Sequence, residues 1–212
     1  MTTLPTFKHE IQYWQQKIKL IAGIDEVGMG ALAGPVCAAA VIFTDKIKNI
    51  TDKPVIRDSK TLSAAQREKA TTWIHSNALA WAVGEANVDE IDKLNIRQAS
   101  HLAMRRAVST LKELPDLLLI DGTPVQLHDK IPAINIIGGD KECYSIAAAS
   151  ILAKVYRDNI MIELDNKFSG YGWFSNKGYG SQVHMTALNN LGANKHHRRS
   201  YAPVARVIEK SK

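Results

Sequence analysis

The sequence predicts an α/β fold: a mixed five-stranded sheet flanked by helices, with a helical C-terminal segment. Three observations carry this expectation. Apolar runs of strand length recur at residues 20–24, 36–43, 79–86, 117–120 and 133–137. The first three are placed to form a meander, while the last two are tied in by helices. Long stretches of helical periodicity, above all residues 88–111 and 144–168, lie between or beyond them.

Residues 7–19 form a helix that puts Ile11, Trp14 and Ile18 on one side. Leu20–Ile24 is a short strand ending at Asp25 and Glu26, followed by a glycine-rich turn from Gly28 to Gly34. Pro35 opens a second strand, Val36–Phe43. Its alanines are poor strand formers, so it must be buried closely against something. Ser63, with Gln66 three residues on, makes a capping box for a helix to about Ser76. Leu79–Ala86 is the third strand, and one long helix spans Val88–Leu111. Leu117–Ile120, which is purely apolar, and Ala133–Ile137 read as central strands. In the helix Tyr144–Phe168, the small residues Ala147, Ala148, Ala149 and Ser150 allow close approach to a sheet. A last helix covers Ser181–Leu191 and stops at Gly192.

A chain of 212 residues suits a single domain, 1–212. With 45% hydrophobic and 23% charged residues, wholesale disorder is excluded. No run approaches the roughly 18 to 20 uncharged apolar residues of a membrane span. The N-terminal residues lack the apolar core of a secretory signal. Cys37 and Cys143 cannot build a disulfide framework. A soluble, cytoplasmic monomer is expected. The formal net charge of +6 is concentrated: residues 171–212 hold Lys177, Lys195, Arg198, Arg199, Arg206, Lys210 and Lys212 against Glu209 alone. The other residues balance. A basic C-terminal segment on a neutral body predicts a polyanion contact there, against the alternative of a solvated basic tail.

Four carboxylates stand where stability does not ask for them. Asp25 and Glu26 follow one strand, Asp121 ends another, and Asp140 follows the next. Ligand sites in α/β sheets form beyond the carboxyl ends of strands, so these positions can converge. Each acid alone could cap a turn, as Asp121-Gly122 often does. All four together instead point to a cation site, and oxygen-only ligands favour Mg²⁺ or Mn²⁺ over zinc.

The segment GIDEVGMGALAGPVCAAAVIF (23–43) resembles the opening signature of ribonuclease HII. The resemblance continues through Asp58-Ser59-Lys60, Leu94-Asn95-Ile96, LLLIDG (117–122), GGDKECYSIAAASILAKVYRD (138–158), YGWFSNKGYGS (171–181) and HHRRSYAPV (196–204). These blocks follow the family's order along nearly the whole chain. The resemblance implies a ribonuclease H-like fold. It implies an endonuclease acting on RNA–DNA hybrids and on duplex DNA with embedded ribonucleotides. It also implies two bound Mn²⁺ or Mg²⁺ ions held by Asp25, Glu26, Asp121 and Asp140, with Asp158 a further acid near the metals. Gly28, Met29 and Gly30 occupy the place where backbone groups approach a ribose 2′-OH, and Tyr179 matches a tyrosine that stacks on the sugar. Lys60, Lys154, Lys177, Arg198 and Arg199 are candidate phosphate contacts.

Two positions depart from the family pattern. Met29 stands where arginine is usual, and Gly138 where lysine is common. Both remove a positive charge near the expected phosphate. The alternative that the resemblance leaves open is a hybrid-binding homologue with weakened or lost turnover. A dinucleotide site at Gly28-x-Gly30 fails because Pro35 and a strand follow where a helix should open. A zinc site from Cys37, Cys143, His196 and His197 lacks paired-ligand spacing.

Overall fold

The structure is a computed structural model that describes residues 4–210. Strand β1 (Ile21–Val27) occupies the middle of a five-stranded sheet. Beside it lie β2 (Val36–Phe43) and then β3 (Ala80–Ala86), an antiparallel meander. On its other side β4 (Leu117–Asp121) joins in parallel, and β5 (Ala133–Ile136) joins β4 in parallel. The order β3-β2-β1-β4-β5 makes β5 an edge strand, not the central one its apolar run predicts. A loop over residues 122–132, with no helix, connects β4 to β5.

The helices are α1 (Lys8–Gln15), α2 (Ala64–Asn77), α3 (Val88–Leu94), α4 (Ile96–Ser109), α5 (Tyr144–Lys167), α6 (Trp173–Asn176), α7 (Gln182–Leu191) and α8 (Ala202–Lys210). Among the described residues none is long and apolar enough to cross a membrane. The predicted capping box is present: Ser63 Oγ accepts from the Gln66 N–H at 3.2 Å, and Gln66 Oε1 accepts from the Ser63 N–H at 2.8 Å. The helix expected over 88–111 is two helices. Asn95 breaks it with a left-handed φ of 68° and caps α4 by accepting from Gln98 N. Helix α1 stops four residues early, where Lys17 takes a φ of 67°. Ser181–Leu191 is not the last helix, since α8 follows and buries Val204 and Val207.

Side-chain alternation along the strands sorts the core into two layers. Ala22, Ile24, Ala38, Ala40, Ile42, Leu118 and Ile120 pack against Ala99, Ala103 and Ala107 of α4. On the opposite face, Cys37, Ala39, Val41 and Phe43 meet Ala147, Ala148 and Ile151 of α5. The alanines of β2 therefore serve a purpose: every residue of this strand is buried, and small side chains let helices close on both faces.

The start of α5 sits directly on β1. A β-carbon added to Gly23 would lie 2.2 Å from the Ser145 carbonyl carbon and 2.4 Å from Ile146 N. The buried side chain of Glu10 accepts from the Ser145 N–H at 2.8 Å, satisfying one of the free donors at the start of the helix. Because α5 begins just after Asp140, this seat fixes one part of the site relative to another. Gly23→Ala is expected to lower stability by about 3 kcal/mol or more through backbone overpacking. Thermal melting measures this, and an unchanged melting temperature would show that the close seat is not required.

Candidate active site

Strand β1 runs on through Val27, so Asp25 and Glu26 lie within it and not after it. Alternation turns Asp25 to the α5 side and Glu26 to the α4 side. Ile24 pairs with Ile120 across the parallel strands, which brings Asp25 beside Asp121 at their shared C-terminal end. Asp121 Oδ1 accepts from the Gly139 N–H at 2.7 Å. That bond ties the short 3-10 turn Gly139–Lys141, bearing Asp140, to the end of β4. Gly138 enters the turn with a left-handed φ of 70°, a conformation that disfavours the lysine common at this position.

The four acids sense one another. Burial raises the Asp25 carboxyl well above the usual carboxylate range, and Glu26, Asp121 and Asp140 add to the rise. Glu26 is pushed up to about 7, first by burial and then by Asp121, with Lys60 opposing. Asp140 is raised by burial, then by Asp121 and Asp58, and held down by Lys141 and Lys60. Lys60 belongs to a short turn, Ser59–Thr61, that Asp58 caps and that the Ser59 N–H docks onto Ser150 of α5. Among the described residues no three acidic, histidine or cysteine groups already stand in metal-ligating geometry. The chemistry of the donor set still fits a hard cation: oxygen-only, partly buried and mutually repelling. Beside the acids lies a cavity of about 300 Å³ lined by Glu26, Met29, Asp121 and Gly122 and by α4.

The turn after β1 is held from beneath. Gly28 has a φ of 95°, and a β-carbon there would lie 2.2 Å from Arg157 Nε. Gly30 faces open space, so its main chain can be approached from outside. Arg157, fully buried, donates to the carbonyls of Ala33, Pro35 and Lys177. Its guanidinium also lies 5.5 Å from the ring of Tyr179.

A ribonuclease HII family model matches residues 22–204. The chain belongs to the ribonuclease HII family. It is 46% identical to ribonuclease HII of Ruegeria pomeroyi over 97% of this chain and 86% of that one. Against the Paracoccus denitrificans enzyme the identity is 45%, covering 96% and 95%. The fold is similar to that of ribonuclease H2 from Pyrococcus horikoshii OT3, with a TM-score of 0.77 and 24% identity over 90% of this chain and 98% of that one. Bst ribonuclease HIII, solved in complex with Mn²⁺, aligns with a TM-score of 0.70 and 18% identity over 92% and 71% of the two chains. The protein is thus a ribonuclease H, and its substrates are RNA–DNA hybrids.

The remaining residues expected from the ribonuclease HII resemblance divide by what they touch. Arg198 is a correction. Its side chain is fully buried and donates to the carbonyls of Met29, Gly34 and Pro35 and to the Tyr201 hydroxyl. It props the glycine turn and has no path to phosphate. Arg199 is exposed, its backbone N–H bonded to Asp92. Lys154 is paired with Asp158 at 2.7 Å, and Arg67 approaches the same carboxylate at 3.8 Å. Asp158 is therefore engaged by two cations of the protein itself. Lys177 takes a left-handed φ of 51° and donates to Phe174 O. Lys60 is exposed.

Tyr179 is half-buried, and its carbonyl meets a histidine pair that the sequence did not reveal. Since that carbonyl only accepts, His184 Nδ1 donates to it at 2.9 Å. His184 Nε2 then accepts from Trp173 Nε1 and from His197 Nε2, each at 3.1 Å. His197 Nδ1 accepts from the Asn194 N–H. Burial lowers both imidazoles, His197 to about 4, so the pair stays neutral and anchors the Tyr179 loop.

The raised Glu26 carboxyl has a stability consequence. A group whose folded pKa exceeds its unfolded value contributes fully below the unfolded value and is lost as pH rises through the folded one. Metal-free protein should lose stability between pH 4.5 and about 7 as Glu26 ionises. Glu26→Gln should raise the neutral-pH unfolding free energy in chelator by up to about 3 kcal/mol, at about 1.4 kcal/mol per pKa unit, and so raise the melting temperature. Parallel melts at both pH values measure it. No gain from the substitution would mean the carboxylates do not strain one another.

Proposed function

We propose that the chain is an endoribonuclease that hydrolyses the RNA strand of hybrids and also cuts 5′ of ribonucleotides embedded in duplex DNA. It leaves a 3′-hydroxyl and a 5′-phosphate. The observation that carries this reading is the convergence of Asp25, Glu26, Asp121 and Asp140 at one strand end, beside a glycine turn with accessible backbone. These four residues would hold two divalent ions, Mg²⁺ or Mn²⁺; Mn²⁺ is the ion bound to the similar Bst fold. When bound, such ions activate a water and stabilise the departing 3′ oxygen.

The chain's own groups supply the rest. Asp25 and Glu26 resist ionising on their own, so a cation paired with substrate phosphate favours their charged forms. The backbone at Gly28–Gly30 reads the 2′-OH, the group that separates RNA from DNA. Tyr179 stacks on the sugar, steadied by Arg157 and His184. Lys60, Lys177 and Arg199 contact phosphates from the exposed rim. Lys154 does so only by leaving Asp158. Residues 171–212 act within one domain with the sheet, as part of a cytoplasmic monomer. A homologue that binds without cutting is disfavoured, because four carboxylates facing a phosphate weaken binding unless metal is recruited.

Asp25→Asn or Asp140→Asn is expected to abolish cleavage while the protein still melts cooperatively. The assay uses a long hybrid and a duplex with one ribonucleotide, each in Mg²⁺ and in Mn²⁺. Full activity in excess chelator would refute the metal reading.

Tyr179→Ala should selectively impair cleavage at the single ribonucleotide, by on the order of 1 to 3 kcal/mol for a lost stacking contact. An unchanged ratio of single-site to hybrid cleavage would remove Tyr179 from ribose recognition.

A further inference from the structure

The cavity beside Glu26 and Asp121 has a second wall, formed by α4 and carrying Arg97 and His101. Arg97, His101 and Arg105 follow one another at four-residue intervals. That spacing stacks them along one helix face, and the eight-residue rise spans about 12 Å. The three are electrostatic neighbours: after burial, Arg97 and Arg105 are the charges that lower His101. Both arginines are exposed.

Neither arginine has a structural task of its own. The adjacent Arg106 donates to Glu90 at 2.6 and 2.8 Å and to Glu85 O at 2.7 Å. Among the described residues Arg97 and Arg105 make no such hydrogen bond and no ion pair. The cations thus stand unpartnered, Arg97 at the cavity beside the acids and Arg105 about 12 Å farther along the helix.

We infer that Arg97 and Arg105 form a phosphate track on α4 for the backbone of the bound duplex. Arg97 takes a phosphate at the cavity next to the acids, and Arg105 takes one farther along. This rests on the proposal that the ligand is a ribonucleotide-containing duplex. It places part of the polyanion contact on the electrically neutral body of the chain, outside residues 171–212.

The test is Kd against salt for a fluorescent duplex DNA bearing one ribonucleotide, in chelator to prevent turnover. Wild-type cleavage of the same duplex in Mg²⁺ runs alongside. Arg97→Gln with Arg105→Gln should flatten the log Kd against log salt slope by about two, and each single change by about one. The affinity advantage of wild type over the double variant should then shrink about tenfold between about 50 and about 200 mM salt. Arg97→Lys with Arg105→Lys should keep the wild-type slope, and melts of all variants should coincide with wild type. If wild type binds and cleaves but the double glutamine variant keeps its slope, the track is refuted while the function stands. If wild type neither binds nor cleaves this duplex, the function falls and the track with it.

Discussion

Arg157 and Arg198 are fully buried, and neither forms an ion pair among the described residues. Their donors go instead to main-chain carbonyls, at Met29, Ala33, Gly34, Pro35 and Lys177, and to the Tyr201 hydroxyl. Pro35 O accepts from both, so the two guanidinium groups act on one segment from two sides. Removing a charge from water costs several kcal/mol, which only good geometry and full hydrogen bonding offset. The rings of Tyr179 and Tyr201, 5.5 and 5.2 Å from the two guanidinium carbons, add cation–π attraction. The glycine turn, the Tyr179 loop and the C-terminal segment all depend on this pair.

The acids need such a frame because they do not stabilise themselves. Asp25, Glu26 and Asp140 are each raised by burial and by like charge, so without a cation they push the site apart. What resists is geometry on three sides. The parallel register of β1 and β4 fixes Asp25 against Asp121. Gly23 lets α5 sit on β1 at backbone contact, and the bond from Gly139 N to Asp121 anchors the turn bearing Asp140. The arginine pair then holds the chain just beyond Glu26. Stability elsewhere in the fold supports a locally unfavourable charge cluster, as functional sites often require.

Much of this was legible in the sequence, for physical reasons. The strands follow from apolar runs, although β1 continues through Asp25 and Glu26 to Val27 where the run of apolar residues stops at Ile24, and the meander and the capping box at Ser63 follow local rules. The roles proposed for Gly28–Gly30 and Tyr179 come from the family resemblance, because their residue types alone do not suggest them. The break at Asn95 was hidden because apolar periodicity continues from Leu94 to Ile96, and one left-handed φ leaves no mark on a hydrophobic pattern. The apolar run of β5 predicts a central strand although the fold puts it at the edge, because hydrophobicity does not report which edge is paired. The charge count failed most at Arg198: a basic segment looks the same whether its cations face solvent or carbonyls. Arg157 leaves no mark for the same reason, since its partners are carbonyls far away in sequence, and the His184–His197 pair leaves none because its rings meet each other and Trp173 only once the chain has folded.

The buried Arg157 guanidinium couples the glycine turn to the Tyr179 loop. Hydrogen exchange on Arg157→Met tests it most directly. Amides of residues 28–34 and 177–179 should lose protection together, while those of β1 and β4 keep theirs. Wild-type protection in both segments of the variant would contradict the account.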